Sequence, residues 1–195
     1  MTSRIKMLFF AGSARSGSFN KSLAKLGYEI AHANGLSATF ADLKDYPMPL
    51  YDGDLEAASG PPDAAVKFKA LLRAHQAIFI VTPEYNSGIT PLLKNTLDWV
   101  SRVKSDGEAP LQVFQSRVFA LSSASPGGYG GMRSLLMTRS VLTQGLGALV
   151  IPEQIAIPKA QDAFDAHGHL ADKGLQERFK GIIIKLAQTA ARLHV

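Results

Sequence analysis

The chain contains no cysteine and a single tryptophan among its 195 residues. Without thiols there are no disulfides, no thiolate nucleophile, no iron–sulfur cluster and no cysteine-ligated zinc. Any redox chemistry must therefore be carried by a bound organic cofactor. Long apolar runs are also missing, since none approaches the roughly 20 residues that a membrane-spanning helix needs. The opening "MTSRIKMLFFAGSARS" passes from strand into loop without a separate basic region, apolar segment and cleavage site. The expected setting is the cytoplasm, with no membrane insertion. Metal is not expected: His167-Gly168-His169 offers two ligands, with no HExxH pattern beside it, and reads as a solvated turn. No Gly-x-Ser-x-Gly elbow follows a strand, which removes support for Ser-His-Asp catalysis. Basic residues outnumber acidic ones, giving a net charge of +5 that suits an anionic ligand. They are scattered and not interleaved with aromatics, so nucleic acid is not an expected partner.

What is present is an alternation. With 46% hydrophobic residues the chain can bury a core, and it reads as one domain over residues 1–195. Strand-like apolar runs fall at 5–11, 37–41, 77–82, 117–122 and 148–151. Helical stretches fall at 20–34, closed by Gly35, at 63–75, entered through Pro61-Pro62, and at 91–103, 131–144 and 172–193. Most strands are apolar on both faces. The pattern predicts an α/β fold: a flavodoxin-like, doubly wound, five-stranded parallel sheet of order 2-1-3-4-5 with helices on both faces. Its ligands should sit at the carboxyl ends of the strands by the switch point. Two segments, 44–62 and 153–171, are longer than a simple connection requires and read as irregular.

Three loops leave that edge. The first, "AGSARSGSFN" at 11–20, puts hydroxyls, glycines and one arginine where a strand gives way to a helix, whose first N–H groups and positive dipole end favour an anion. Ser13, Ser16 and Ser18 can donate hydrogen bonds, Gly12 and Gly17 let backbone come close, and Arg15 can grip two phosphate oxygens. Gly12 and Gly17 have P-loop spacing, but Ser18-Phe19 stands where Lys-Ser/Thr is needed, and the dinucleotide fingerprint is missing too. A phosphomonoester remains. The second loop, within "TPEYNSGITPLLKNTLDWVSR", is stiffened by Pro83 and turned by Asn86-Ser87-Gly88, while Tyr85 offers a flat face. The third, "SSASPGGYGGMRS", lets backbone approach a planar edge at Gly127, Gly128, Gly130 and Gly131. A phosphate pocket beside two loops shaped for a flat heterocycle describes flavin mononucleotide.

These stretches resemble the NADPH-dependent FMN reductase-like family of flavodoxin fold, which includes quinone, chromate and azo-dye reductases. "GSARSGSFN" matches its Gly-Ser-x-Arg-x-x-Ser-x-Asn loop, "PEYNSGITPLLKNTLDW" its flavin-ring loop and following helix, and "SASPGGYGG" its third loop. The resemblance implies that Ser13, Arg15, Ser18, Phe19 and Asn20 hold the FMN phosphate and the start of the ribityl chain. It places Pro83, Glu84, Tyr85, Asn86 and Ser87 along the isoalloxazine, and Ser123, Ser125, Gly127 and Gly128 at its far side. NADPH or NADH would give hydride to the flavin N5, and a small electron acceptor would then take its place. Quinones are the first expectation, with free flavin, chromate and azo compounds as others. No side chain is required as catalyst, although Tyr85 and Tyr129 could position the acceptor. The resemblance also implies a homodimer or homotetramer, with Leu93, Leu97, Trp99 and Val100 as interface candidates; the other reading of these four is core packing. The alternative function is a flavodoxin-type electron carrier or a non-catalytic FMN-binding protein. Carriers of that type are usually acidic and lack the arginine.

Overall fold

Every residue from Met7 to Ala11 is buried, and a strand apolar on both faces needs a layer on each side. The computed structural model, which describes residues 5–104 and 107–194, supplies both. In chain order the elements are β1 (Lys6–Ala11), α1 (Phe19–Ala33), β2 (Ser37–Asp42), α2 (Gly53–Ser59), α3 (Asp63–Arg73), β3 (Ala77–Val81), β4 (Glu84–Tyr85), β5 (Gly88–Ile89) and α4 (Pro91–Arg102). There follow α5 (Gln112–Gln115), β6 (Val118–Ala124), α6 (Met132–Ser140), β7 (Leu149–Ile157), α7 (Ala160–Ala163) and α8 (Lys173–Leu193). The sheet runs β2-β1-β3-β6-β7 with all pairs parallel. Because β4 and β5 form a separate hairpin, this is the expected order 2-1-3-4-5.

Strand periodicity sorts the core. Met7, Phe9, Ala11, Phe79 and Val81 point to one side, against Leu23 of α1 and Phe179 and Ile183 of α8. Leu8, Phe10, Ile78 and Ile80 point to the other, against Phe68 of α3, Leu93 and Leu97 of α4 and Leu135 of α6. Among the described residues no helix is long and apolar enough to cross a membrane. The reading of the chain's start and of a domain reaching 1–195 extends into residues 1–4 and 195, which lie outside the described residues.

Four expectations change. The segment 44–62, expected to be irregular, carries the short helix α2, capped by Asp52. The strand expected at 148–151 continues to Ile157 and takes in the head of the segment expected to be irregular. Its register slips between Phe119, opposite Val150, and Leu121, opposite Gln154. Pro152 has no N–H for the ladder, so the strand bulges around it and resumes. The helix expected over 131–144 ends at Ser140 and widens into a π turn over Val141–Gly145. Leu93, Leu97, Trp99 and Val100 are at most 2% exposed, so the α4 stripe is core, not interface. Trp99 packs edge-on against Tyr51 with ring centroids 5.0 Å apart, and its indole donates to the Pro49 carbonyl at 2.7 Å.

Candidate active site

The loops after β1, β3 and β6 converge as expected, and each is pinned at its base. In the first, Gly12 donates to the Val81 carbonyl at 2.9 Å and accepts from the Thr90 hydroxyl at 2.7 Å. A Cβ at Gly12 would lie 2.8 Å from the Leu93 Cβ. This glycine is therefore needed for packing against α4, whereas Gly17 meets only the end of Arg15. Ser18 caps α1 by accepting from the Lys21 N–H. Among the described residues the N–H groups of Ser16, Gly17, Ser18, Phe19 and Asn20 take no protein acceptor. Arg15 is exposed, its guanidinium 5.9 Å from the Phe19 ring centroid, and no carboxylate pairs with it among the described residues. Lys21 is committed elsewhere, to Asp42 at 2.6 Å. Burial opposes ionisation of Asp42, but the bond from Lys21 and the Lys44 N–H outweigh it and hold the carboxyl below its usual pKa.

The second loop is the β4–β5 hairpin. Asn86 and Ser87 both take left-handed backbone, with φ of 50° and 66°, as a two-residue turn of this hand demands. Ser87 does so without glycine's freedom, a strain of about 1–3 kcal/mol of the kind found at functional sites. Glu84 does not turn to the cleft as a free charge. Its carboxylate accepts from the Arg133 and Ser134 N–H groups at 3.0 and 3.3 Å, capping α6, whose own N-cap Gly131 has no side chain to offer. Ser134 also donates to the Pro83 carbonyl at 2.6 Å and joins Thr82 and Thr138 in a buried hydroxyl chain. Tyr85 is 54% exposed.

In the third loop Ser123 is buried and donates to the Gly130 carbonyl at 2.7 Å. A Cβ at Gly130 would sit 2.7 Å from the Ile157 carbonyl carbon, and one at Gly131 would sit 2.9 Å from the Ser123 Cβ. Gly127 and Gly128 face open space, with nothing closer to a Cβ than the Ser125 hydroxyl at 3.7 Å. Tyr129 is 69% exposed.

Between the loops lies a cleft open to solvent. One wall is Ser13, Arg15, Ser18, Phe19 and Asn20, the second Pro83, Glu84 and Tyr85, the third Ala124, Ser125 and Pro126. Several of the residues assigned from the sequence also make bonds within the protein or stand beyond these walls. Asn20 spends both ends of its amide on Ala124, donating to the carbonyl at 2.7 Å and accepting from the N–H at 3.0 Å. It is a clamp between the first and third loops. Ser123 is a brace under the third loop, and Glu84 is a helix cap. Asn86, Ser87, Gly127 and Gly128 stand at the exposed apices, outside the walls. Ala124, Pro126 and the Thr82-Ser134-Thr138 chain were not foreseen. Ala124 gives no side-chain signal, and buried hydroxyls within an apolar stretch read simply as strand or helix. His167-Gly168-His169 is a turn, closed by Asp165 accepting from the His167 and His169 N–H groups at 2.8 and 2.9 Å. Those bonds hold the Asp165 carboxyl below its usual pKa.

The family model described as NADPH-dependent FMN reductase matches residues 5–162. The NAD(P)H-dependent FMN reductase of Pseudomonas aeruginosa is 36% identical over 178 residues, which cover 91% of this chain and 90% of the relative. A probable NADPH:quinone oxidoreductase of Oryza sativa is 33% identical, covering 97% and 90%. Among solved structures, the flavoenzyme NAD(P)H:(acceptor) oxidoreductase of Paracoccus denitrificans superposes with a TM-score of 0.80, covering 98% of this chain and all of that one, at 21% identity. That last likeness is one of fold.

Proposed function

Because the chain belongs to the NADPH-dependent FMN reductase family, we propose that it is an NAD(P)H-dependent, FMN-containing oxidoreductase that reduces quinones and similar small acceptors. The residues present fit the cofactor. At one end stand Arg15, the serine hydroxyls and five N–H groups without protein acceptors, a donor set for a phosphate dianion. At the other, Tyr85 is exposed and Gly128 leaves its surroundings clear, which admits a flat ring. The observation that carries the reading is this pairing of an arginine-bearing anion cradle with an open, glycine-edged slot in one cleft.

The chemistry supplied by bound FMN is hydride acceptance at N5 from NAD(P)H and two-electron delivery to the acceptor. The chain's own part is to bind and to orient. Arg15 and the α1 N-terminus hold the phosphate, and charge-assisted bonds of this kind contribute about 1.5–3 kcal/mol each. Pro83, buried and tied through its carbonyl to Ser134, fixes the height of the second loop. The N–H groups of Asn86, Ser87, Gly128 and Tyr129, which have no acceptor among the described residues, can stabilise negative charge at the ring edge without rearranging. Glu84 opposes none of this, because α6 already answers its charge. Tyr85 and Tyr129 flank the side from which an acceptor would enter. Free flavin, chromate and azo compounds are further acceptors of the same site.

We place the enzyme in the cytoplasm, where NAD(P)H is regenerated, and read residues 1–195 as one domain. Assembly as a homodimer or homotetramer belongs to the same reading. With the α4 stripe buried, the exposed apolar side chains available for contact between copies include Leu50, Val66, Leu136, Met137, Leu149 and Leu193. The test of function is the visible spectrum of the purified protein, followed by anaerobic addition of NADPH. Bound FMN that bleaches is expected. A colourless protein that ignores added FMN would overturn the proposal.

A further inference from the structure

A second guanidinium stands beside Glu84 of the cleft wall. Arg133, in the first turn of α6, lies over the exposed Tyr129 ring at 4.6 Å from its centroid. Among the described residues its one ionic contact is Nη1 to Glu84 at 3.5 Å, and Glu84 is already satisfied by two backbone N–H groups. The remaining guanidinium nitrogens take no acceptor among the described residues. A cation held flat on an aromatic face, with most of its donors unspent, is prepared for a bidentate anion.

Its position separates it from the cofactor's phosphate. Arg15 lies in the loop after β1 and Arg133 in the helix after β6, and β3 stands between those two strands in the sheet. Other cations nearby are less suited. Lys21 is bound to Asp42. Arg139 is spent on the Ile151 carbonyl and Gln154. Lys159, at the foot of the third loop, is a flexible point charge without an aromatic platform among the described residues.

We propose that Arg133, stacked on Tyr129, forms a second anion subsite at the rim of the cleft, which takes the 2′-phosphate of NADPH and sets the choice between NADPH and NADH. This rests on the reductase reading. Arg133 is a specificity residue: it touches the donor's ribose phosphate and no reacting atom.

The experiment uses the FMN-loaded protein and two probes, 2′,5′-ADP and 5′-AMP, titrated by calorimetry against wild type, Arg133→Gln, Arg133→Lys, Tyr129→Leu and Lys159→Gln. Wild type is expected to bind 2′,5′-ADP more tightly than 5′-AMP. Arg133→Gln should weaken 2′,5′-ADP by roughly tenfold or more, the effect of one charge-assisted contact, while Arg133→Lys keeps part of the preference. Tyr129→Leu should lose less, in the same direction, and Lys159→Gln should keep the preference whole. The ratio of kcat/KM for NADPH to that for NADH should fall with Arg133→Gln by a similar factor. A wild type that treats the two probes alike overturns the subsite, as does a preference that survives Arg133→Gln or disappears with Lys159→Gln. A protein that oxidises both donors, and in which Arg133→Gln lowers both equally, overturns the subsite alone. A protein that holds no FMN overturns the reductase reading and the subsite together.

Discussion

Replacing Asn20 by aspartate asks whether the first and third loops are held together by one amide. The side chain makes two bonds of opposite sense to the Ala124 peptide, at 2.7 and 3.0 Å, and both partners are enclosed, Asn20 at 6% exposure and Ala124 at 2%. Asn20→Asp keeps size and the acceptor but puts a carboxylate oxygen where the amide donated to the carbonyl. The loss is one net hydrogen bond of about 1 kcal/mol plus about 1–3 kcal/mol for an unsatisfied buried carbonyl, so about 2–4 kcal/mol near neutral pH. Protonation of the new carboxyl restores a donor, and burial with a facing carbonyl raises its folded pKa above the unfolded value of about 3.9. The native state then holds more protons than the unfolded state in the window above pH 4. Stability of the variant relative to wild type therefore falls as pH rises from about 4 through the folded pKa, and recovers below it. Urea unfolding of both proteins side by side between about pH 4.5 and 7.5 reads this directly, with FMN affinity as the second measure. A stability difference that stays below about 0.5 kcal/mol, or that does not change with pH, would refute the clamp.

Three other substitutions probe separate parts of the structure. Arg15→Ala should weaken FMN binding by about 1.5–3 kcal/mol and leave the urea midpoint of the apoprotein unchanged, since no carboxylate pairs with Arg15 among the described residues; fluorescence titration that finds wild-type affinity removes the phosphate assignment. Gly12→Ala should cost about 1–3 kcal/mol through overpacking against Leu93, whereas Gly128→Ala, with nothing within 4 Å, should stay within about 0.5 kcal/mol. Equal effects in urea would contradict the division between packed and open glycines. Burial lowers the pKa of His75, whose ring donates from Nδ1 to the Leu71 carbonyl at 2.7 Å and accepts the Thr39 hydroxyl at 2.8 Å. Its contribution to stability is full above the unfolded pKa of about 6.5 and is lost as pH falls from there through the folded pKa. Wild type should lose more Tm than His75→Gln between about pH 7.5 and 5.5, and identical losses would show that His75 carries no such linkage.

The sheet was legible because its strands announce themselves twice, by apolar residues on both faces and by the helical segments between them. Only the far end of β7 was missed: Pro152, Glu153 and Gln154 interrupt the apolar pattern, and nothing local shows that pairing resumes beyond a bulge. The cleft was legible as a set of loops but not as a set of roles. The bond from Asn20 to Ala124 has no local signal, because its partner lies 104 positions away. Glu84 likewise has its partners about 50 positions downstream. The stripe on α4 illustrates the same limit, since helical spacing shows that one face is apolar without showing what covers it.

The bonds that hold the three loops are made at their bases, by Asn20 with Ala124, Thr90 with Gly12, Ser134 with Pro83 and Ser123 with Gly130. Their apices, at 16–17, 86–87 and 127–128, are exposed and take no part in those four bonds. The bonds that set the loops and the residues exposed at their tips are thus different. A combinatorial library confined to the apices, with Gly, Asn and Asp favoured at the left-handed positions 86 and 87, would vary the rim of the cleft while the four bonds beneath stay the same, which makes the fold a tractable starting point for laboratory evolution.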